Sequence, residues 1–353
     1  MYRKIMGFLE AWKENEHRKP LILQGARQVG KTYSILEFGR TCYENVAYFN
    51  FETNPKLNET FAENISPDYL IPILSHIAGQ TIIREKTLIV FDEVQLCERA
   101  LTSLKYFCED APEYHIIVAG SLLGVAVNRT RFSFPVGKVD MKTLYPMDME
   151  EFMLAMGEEQ LVELIKKCFQ TDTPMPAALH DAAMQLYRQY LVVGGMPECV
   201  MQFAETKDYI LVRHTQDTIL ASYLNDMSKY NNLNEIKKTR LAYDNITVQL
   251  SKKNTRFQYK LIKKGGRASE FENAIEWLCL SGIVSQVYKV EQVKKPLENY
   301  RDIDAFKIYV SDLGLLCAKK ELLANDILYM VKELDDFKGG MAENYVNVQL
   351  SIN

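Results

Sequence analysis

Apolar residues in the first 150 positions come in two textures. One is short and unbroken: the start of "PLILQGARQVGKTYSIL" (Pro20–Leu36), "NVAYFNFE" (Asn45–Glu52), "KTLIVFDE" (Lys86–Glu93) and "HIIVAGS" (His115–Ser121), with a more polar run in "GKVDMKTLYPMD" (Gly137–Asp148). The other recurs at helical spacing, in Tyr2–Asn15, "SPDYLIPILSHIAG" (Ser66–Gly79) and "CERALTSLKYFCEDAPEY" (Cys97–Tyr114). Strands that are apolar at successive positions are buried on both faces. Alternating with helices, they predict an α/β fold whose parallel sheet is covered on both sides.

The texture changes after "PMDMEEFM". From Glu150 to about Tyr230 the spacing is mainly helical, broken at "TDTPMP" (Thr171–Pro176) and "VVGGMPE" (Val192–Glu198). A second helical stretch leads into "SGIVSQVYKVEQV" (Ser281–Val293), which reads as a β-hairpin, and helices followed by a short hairpin predict a winged-helix module. "FKIYVSDLGLLCA" (Phe306–Ala318) then opens a further strand and helix. The expected domains are 1–155, 156–230, 231–300 and 301–353.

Composition narrows the function classes. The 353 residues are 47% hydrophobic and 25% charged with a net charge of -4, so any nucleic-acid site is local rather than a property of the whole surface. No apolar run approaches the roughly 18 residues of a membrane span, and the first residues carry no cleavage-site pattern. No membrane partner is expected. Seven scattered cysteines without a CxxC pair fit reduced thiols, and the five histidines lack metal-ligand spacing. The expectation is a cytoplasmic protein.

The opening strand carries the chemistry. Gly25-Ala26-Arg27-Gln28-Val29-Gly30-Lys31-Thr32 matches G-x-x-x-x-G-K-[ST] without deviation. Glycines let consecutive backbone N–H groups turn inward as a nest for phosphate oxygens, and the following helix adds its positive N-terminal end. In such a loop Lys31 reaches the outer phosphates and the Thr32 hydroxyl ligates Mg²⁺. "LIVFDEVQ" places Asp92 and Glu93 at the carboxyl end of another strand, where ligands of parallel sheets bind. Asp92 suits the Mg²⁺ shell and Glu93 suits polarising a water for attack on a γ-phosphate. Ser121, at the end of "HIIVAGS", suits contact with that water or phosphate; the alternative is a turn or helix cap. The turn is read as a cradle for a nucleoside triphosphate, with ATP and Mg²⁺ as the expected ligands.

In this order, "LQGARQVGKTYSILEFG", "IVFDEVQ", "AGSLLG", "FSFPVGKVDMKTLYPMDMEEF", "YLVVGGMPECV", "ILASYLNDMSKY" and "FKIYVSDLGLL" resemble a prokaryotic family of AAA+-type ATPases over nearly the whole chain. Members of that family carry a C-terminal domain of unknown function with a restriction-endonuclease-like fold. The resemblance implies a P-loop AAA+ core with a parallel sheet, a helical lid, a winged-helix module and the start of a C-terminal α/β domain. It carries over Gly30, Lys31 and Thr32 as phosphate-loop residues, Asp92 and Glu93 as the Walker B pair, and Ser121 as the sensor position. A nuclease-like fold needs an acid on its first helix, then a strand acid and an E-x-K-type motif. Glu343 stands where the first would be, and the others would lie past Asn353, so the chain is expected to be truncated and not a nuclease.

Three further signals are weaker. Arg129 and Arg131, in "VNRTRFSFPVGK", are candidates for an arginine that completes the site of a neighbouring copy in a homo-oligomer, Arg131 foremost; the alternative is surface arginines. Gly194 to Pro197 either brings backbone close to the nucleotide or ends a helix. Between Asp244 and Glu270 no acid interrupts Lys252, Lys253, Arg256, Lys260, Lys263, Lys264 and Arg267, with Phe257 and Tyr259 interleaved. Lys252–Arg267 either follows a DNA backbone or is a solvated face. The expected function is Mg-ATP hydrolysis coupled to conformational change near nucleic acid. The alternative is a nucleotide-gated signalling or scaffold protein with little turnover.

Overall fold

A computed structural model describes residues 1–121, 123–127, 134–229, 233–252 and 256–353. The chain divides into two compact units, Arg3–Tyr145 and Pro146–Asn353, the second joined by Met1–Tyr2.

In the first unit, strands β1 (Leu21–Gln24), β2 (Asn45–Asn50), β3 (Thr87–Asp92), β4 (His115–Ala119) and β5 (Asp140–Thr143) form one parallel sheet in the order β2-β3-β4-β1-β5. The expected parallel sheet is therefore present. Its unbroken apolar runs have the predicted cause: Leu21, Ile22, Leu23, every residue from Leu88 to Phe91 and every residue from Ile116 to Ala119 are fully buried. The more polar β5 lies at an edge, where one side of the strand lacks a neighbour. Helices Ile5–Glu14, Lys31–Cys42, Leu57–Glu63, Pro67–Ala78, Glu98–Asp110 and the short Leu123–Val127 belong to the same unit. One core region centres on Phe91, whose ring meets Phe61 edge-on at 5.5 Å and Phe51 at 5.9 Å.

At the start of β4, His115 is buried with its ring edge-on to Tyr43 and to Trp12, and Tyr43 Oη lies 2.7 Å from its Nδ1. Burial, with Arg18 and Lys13 nearby, pushes the imidazole down to about 4. A histidine that titrates lower when folded than when unfolded binds fewer protons in the native state, so acid destabilises the fold. We expect denaturant unfolding of wild type to show a loss of about 2 kcal/mol between pH 7.5 and pH 5 from this group. The loss should disappear in His115→Gln; an unchanged pH dependence would exclude His115 as its source.

The second unit is mainly helical, with Glu159–Gln170, Ala177–Val193, Pro197–Thr206, Tyr209–Lys229, Leu233–Ser251, Ala268–Leu280 and Asp335–Ile352 as its longer helices. Its only sheet among the described residues is an antiparallel pair, β6 (Val284–Val290) and β7 (Arg301–Val310). This corrects the hairpin expected within Ser281–Val293, which supplies one strand alone. The polar, proline-containing connection 291–300 holds a 3-10 turn at Leu297–Tyr300 and no tight two-residue turn, so the partner strand starts later. The expected boundary at residue 300 consequently falls inside the hairpin, and the strand expected to open a further α/β domain closes this one.

"VVGGMP" serves the same unit. Gly194 ends helix Ala177–Val193, and the Gly195 N–H donates to Asp312 Oδ2 at 2.6 Å. Asp312 Oδ1 accepts from Leu315 N at 2.8 Å, so one buried carboxylate ties two segments more than a hundred residues apart. A Cβ at Gly195 would overlap the Met147 carbonyl, which accounts for glycine there.

Candidate functional site

Strand β1 runs through Gly25 to Gly30 into helix Lys31–Cys42. Gly25, Gln28 and Gly30 all have positive φ, the left-handed turns that fold the backbone into a nest. A Cβ on Gly25 would overlap the Leu144 carbonyl just beyond β5, so the loop can lie against that segment only with glycine there. Ala26 and Val29 are buried beneath the loop. Arg3 fixes the loop from behind: its guanidinium donates to the Val29 carbonyl at 3.1 Å and to the Tyr145 carbonyl at 2.8 Å. Arg27 is partly exposed and Gln28 exposed. No side chain caps the helix at Gly30, which leaves its first-turn N–H groups for an anion.

Lys31 is buried, and its Nζ donates to the carbonyls of Gly25 at 2.9 Å and Ala26 at 2.8 Å. Burial pushes this ammonium down to about 8, against the pull of the Glu93 and Asp92 charges. Thr32 Oγ1 donates to Asp92 Oδ2 at 2.9 Å, joining the 25–32 loop and its helix to the end of β3 across sixty positions of sequence. Glu93 has a left-handed backbone (φ 52°) and opens the 3-10 turn Val94–Leu96, which turns the chain off the sheet edge. Ser121 is buried and follows β4 at the same carboxyl edge.

The structure thus brings Lys31, Thr32, Asp92 and Glu93 together beyond the carboxyl ends of β1 and β3. A threonine hydroxyl beside a carboxylate is a hard-oxygen donor pair of the kind Mg²⁺ takes. No group of three or more His, Cys, Asp or Glu among the described residues could hold a metal by itself.

Two residues here escaped the sequence reading. Tyr48 Oη donates to Asp92 Oδ2 at 2.7 Å, and Gln95 Nε2 donates to Glu93 Oε2. The β2–β3 register aligns Asn50 with Asp92 and Tyr48 with Val90, so Tyr48 reaches along its own strand to the carboxylate. The period of two from Tyr48 to Asn50 was the available signal. Burial and the Asp92 contact push the Tyr48 phenol up to about 12, so it remains a donor.

Arg129, Arg131 and Lys253 lie outside the described residues. Glu343 pairs with Lys307 Nζ at 2.7 Å and accepts from Tyr309 Oη at 3.3 Å, contacts to the hairpin strand β7. In the basic segment Lys252, Arg256, Lys260, Lys263, Lys264 and Arg267 are exposed, and Lys263 pairs with Glu270 at 2.9 Å. The interleaved aromatics face inward: Phe257 is buried with its ring stacked on Phe306 at 5.5 Å, and Tyr259 meets the same ring edge-on.

Residues 17–153 match the family model of an AAA domain. A Walker-type ATPase of Pyrococcus abyssi superposes with a TM-score of 0.55 over 90% of this chain and 95% of its own, at 14% identity. The fold is that of P-loop AAA+ ATPases. Residues 184–326 match a domain of unknown function (DUF8612), which runs across the expected boundaries at 230 and 300 and assigns no activity. ORC2 of Aeropyrum pernix in its ADPNP–ADP complexes gives a TM-score of 0.42 at 12% identity, covering 99% of this chain and 95% of that one. RuvB of Thermotoga maritima gives 0.36 at 15% identity, covering 80% and 87%. Both are too low to extend the fold assignment. No curated protein matches the chain. No helix among the described residues is long and apolar enough to cross a membrane.

Proposed function

We propose that this P-loop AAA+ chain binds Mg-ATP at residues 25–32 and hydrolyses it to ADP and phosphate, coupling the cycle to conformational change near nucleic acid. The observation that carries the reading is the Thr32–Asp92 hydrogen bond beside the buried Lys31. Three groups with complementary roles in phosphate chemistry meet beyond the ends of β1 and β3, which flank β4 in the sheet, at the mouth of a left-handed turn and an uncapped helix.

The backbone of Gly25 to Gly30 receives phosphate oxygens, and Lys31 leaves its two loop carbonyls to pair with the outer phosphates. Thr32 and Asp92 hold Mg²⁺, which when bound neutralises charge on the phosphate oxygens. Glu93 accepts a proton from a water as that water attacks the γ-phosphorus, while Ser121 contacts the water or the γ-phosphate. Arg131, or Arg129, acts from a neighbouring copy of the chain in a homo-oligomer.

Steady-state turnover with Mg-ATP, with and without duplex DNA, tests this reading. Hydrolysis stimulated by DNA supports it. ATP binding with negligible turnover under both conditions would favour a nucleotide-gated scaffold, and no ATP binding at all would overturn it.

The DNA contact rests on the exposed cations of the 252–267 segment. Each phosphate contact lowers the logarithm of affinity by about 0.9 per logarithm of salt, so three contacts give a slope of roughly -3. Replacing Lys260, Lys264 and Arg267 together by Glu should weaken duplex binding and flatten that slope, with little dependence on DNA sequence. Lys263 is left in place because Glu270 already pairs with it. Binding that survives the triple change would assign the segment to a solvated face.

A further inference from the structure

Beside the proposed water-activating carboxylate lies a second side chain with an open valence. Gln95 Nε2 donates to Glu93 Oε2. An ionised carboxylate only accepts, so the amide nitrogen must face Glu93 and the amide oxygen must face the other way. That oxygen, Gln95 Oε1, is buried, and no donor among the described residues reaches it. Leaving a buried acceptor without a partner is unfavourable, so such an atom points to a donor that arrives with a ligand.

Its surroundings show where. The 3-10 turn Val94–Leu96 sets Gln95 two residues past Glu93, with Leu96 N donating to the Glu93 carbonyl at 3.0 Å. On its other side the amide oxygen packs against Gly120, between the end of β4 and Ser121, and a Cβ at Gly120 would overlap it. The carboxamide is thus wedged between Glu93 and the Gly120–Ser121 turn, with its acceptor turned toward the turn that carries Ser121.

We propose that Gln95 is a positioning residue for hydrolysis. Its N–H holds the Glu93 carboxylate, and its Oε1 accepts one hydrogen of the attacking water while Glu93 accepts the other. A water with both hydrogens committed presents a lone pair in a fixed direction, which is the orientation in-line attack needs. The water's proton passes to Glu93 as its oxygen bonds to the γ-phosphorus and ADP departs. This inference rests on the ATPase reading above.

Gln95→Met keeps the side-chain volume and removes both the donor and the acceptor. The test compares wild type, Gln95→Met, Gly120→Ala and the double variant in the full chain. It follows kcat and KM for Mg-ATP, the affinity for a non-hydrolysable ATP analogue by calorimetry, and thermal unfolding. Gln95→Met should lower kcat about tenfold or more, the equivalent of about 1.4 kcal/mol, while KM and analogue affinity stay within about twofold. Gly120→Ala, whose added Cβ would meet the Gln95 carboxamide first, should lower kcat similarly by displacing it. In the Gln95→Met background it should cost little more, because the two act through one group. An unchanged kcat in Gln95→Met overturns the proposal, as does parallel loss of analogue affinity, which would mark a packing role. Fully additive effects also overturn it. Wild type that neither binds nor hydrolyses ATP would instead overturn the ATPase reading itself.

Discussion

Lys31→Ala should reduce ATP affinity at least a hundredfold, about 3 kcal/mol, as measured by calorimetry with Mg-ATP at neutral pH. The size follows from what the ammonium replaces. Within the loop, the buried Nζ donates to the carbonyls of Gly25 and Ala26. When phosphates enter the nest, the same ammonium supplies the positive charge for their outer oxygens, in a site too dry for water to screen it. Alanine removes that charge and also leaves two loop carbonyls without their donor. A second effect is therefore expected, a loss of about 1–3 kcal/mol in stability of the Arg3–Tyr145 unit without unfolding it. The two effects separate in practice, since thermal unfolding without ATP reads only the second. If Lys31→Ala binds ATP within threefold of wild type while remaining folded, the loop is not the nucleotide site.

The turn at residues 25–32 was legible because its determinants are local. Gly25 and Gly30 turn the backbone, Lys31 and Thr32 follow at once, and the helix starts on the spot. The Asp92 contact was legible at one remove, because parallel sheets place ligands beyond their strands' carboxyl ends and both segments were read as strands. Tyr48 and Gln95 were not, since their roles depend on how far a side chain reaches from a given register or turn. β7 was missed as the partner of β6 for a related reason. Pairing Val284 with Val310 is a long-range contact closed over an irregular ten-residue connection, and no tight-turn signal announced it. The basic segment shows the limit of composition. Its aromatics resemble a base-stacking set in one dimension, yet Phe257 and Tyr259 pack on Phe306, while the described cations of the segment are exposed.

Glu93→Gln should leave ATP affinity within about twofold of wild type and lower kcat by about 10² to 10⁴, the range that one general base supplies. Binding should survive because the groups proposed to hold Mg-ATP are others: Lys31, the loop backbone, and the Thr32–Asp92 pair, whose hydrogen bond does not involve Glu93. The substitution preserves shape, and the left-handed backbone at position 93 is no more demanding for Gln than for Glu. The neutral amide can still accept from Gln95 Nε2 through its own oxygen, so the 3-10 turn has no reason to rearrange. What the amide lacks is a basic oxygen for the water's proton. Rapid mixing with labelled ATP separates the two readings, because the variant should accumulate bound ATP where wild type accumulates ADP. Equal hydrolysis by the two proteins would remove Glu93 from its assigned role and leave the activation of water to another group at this edge of the sheet. Tight binding with negligible turnover in both would mean that occupancy of the loop, rather than cleavage, is the signal the chain transmits.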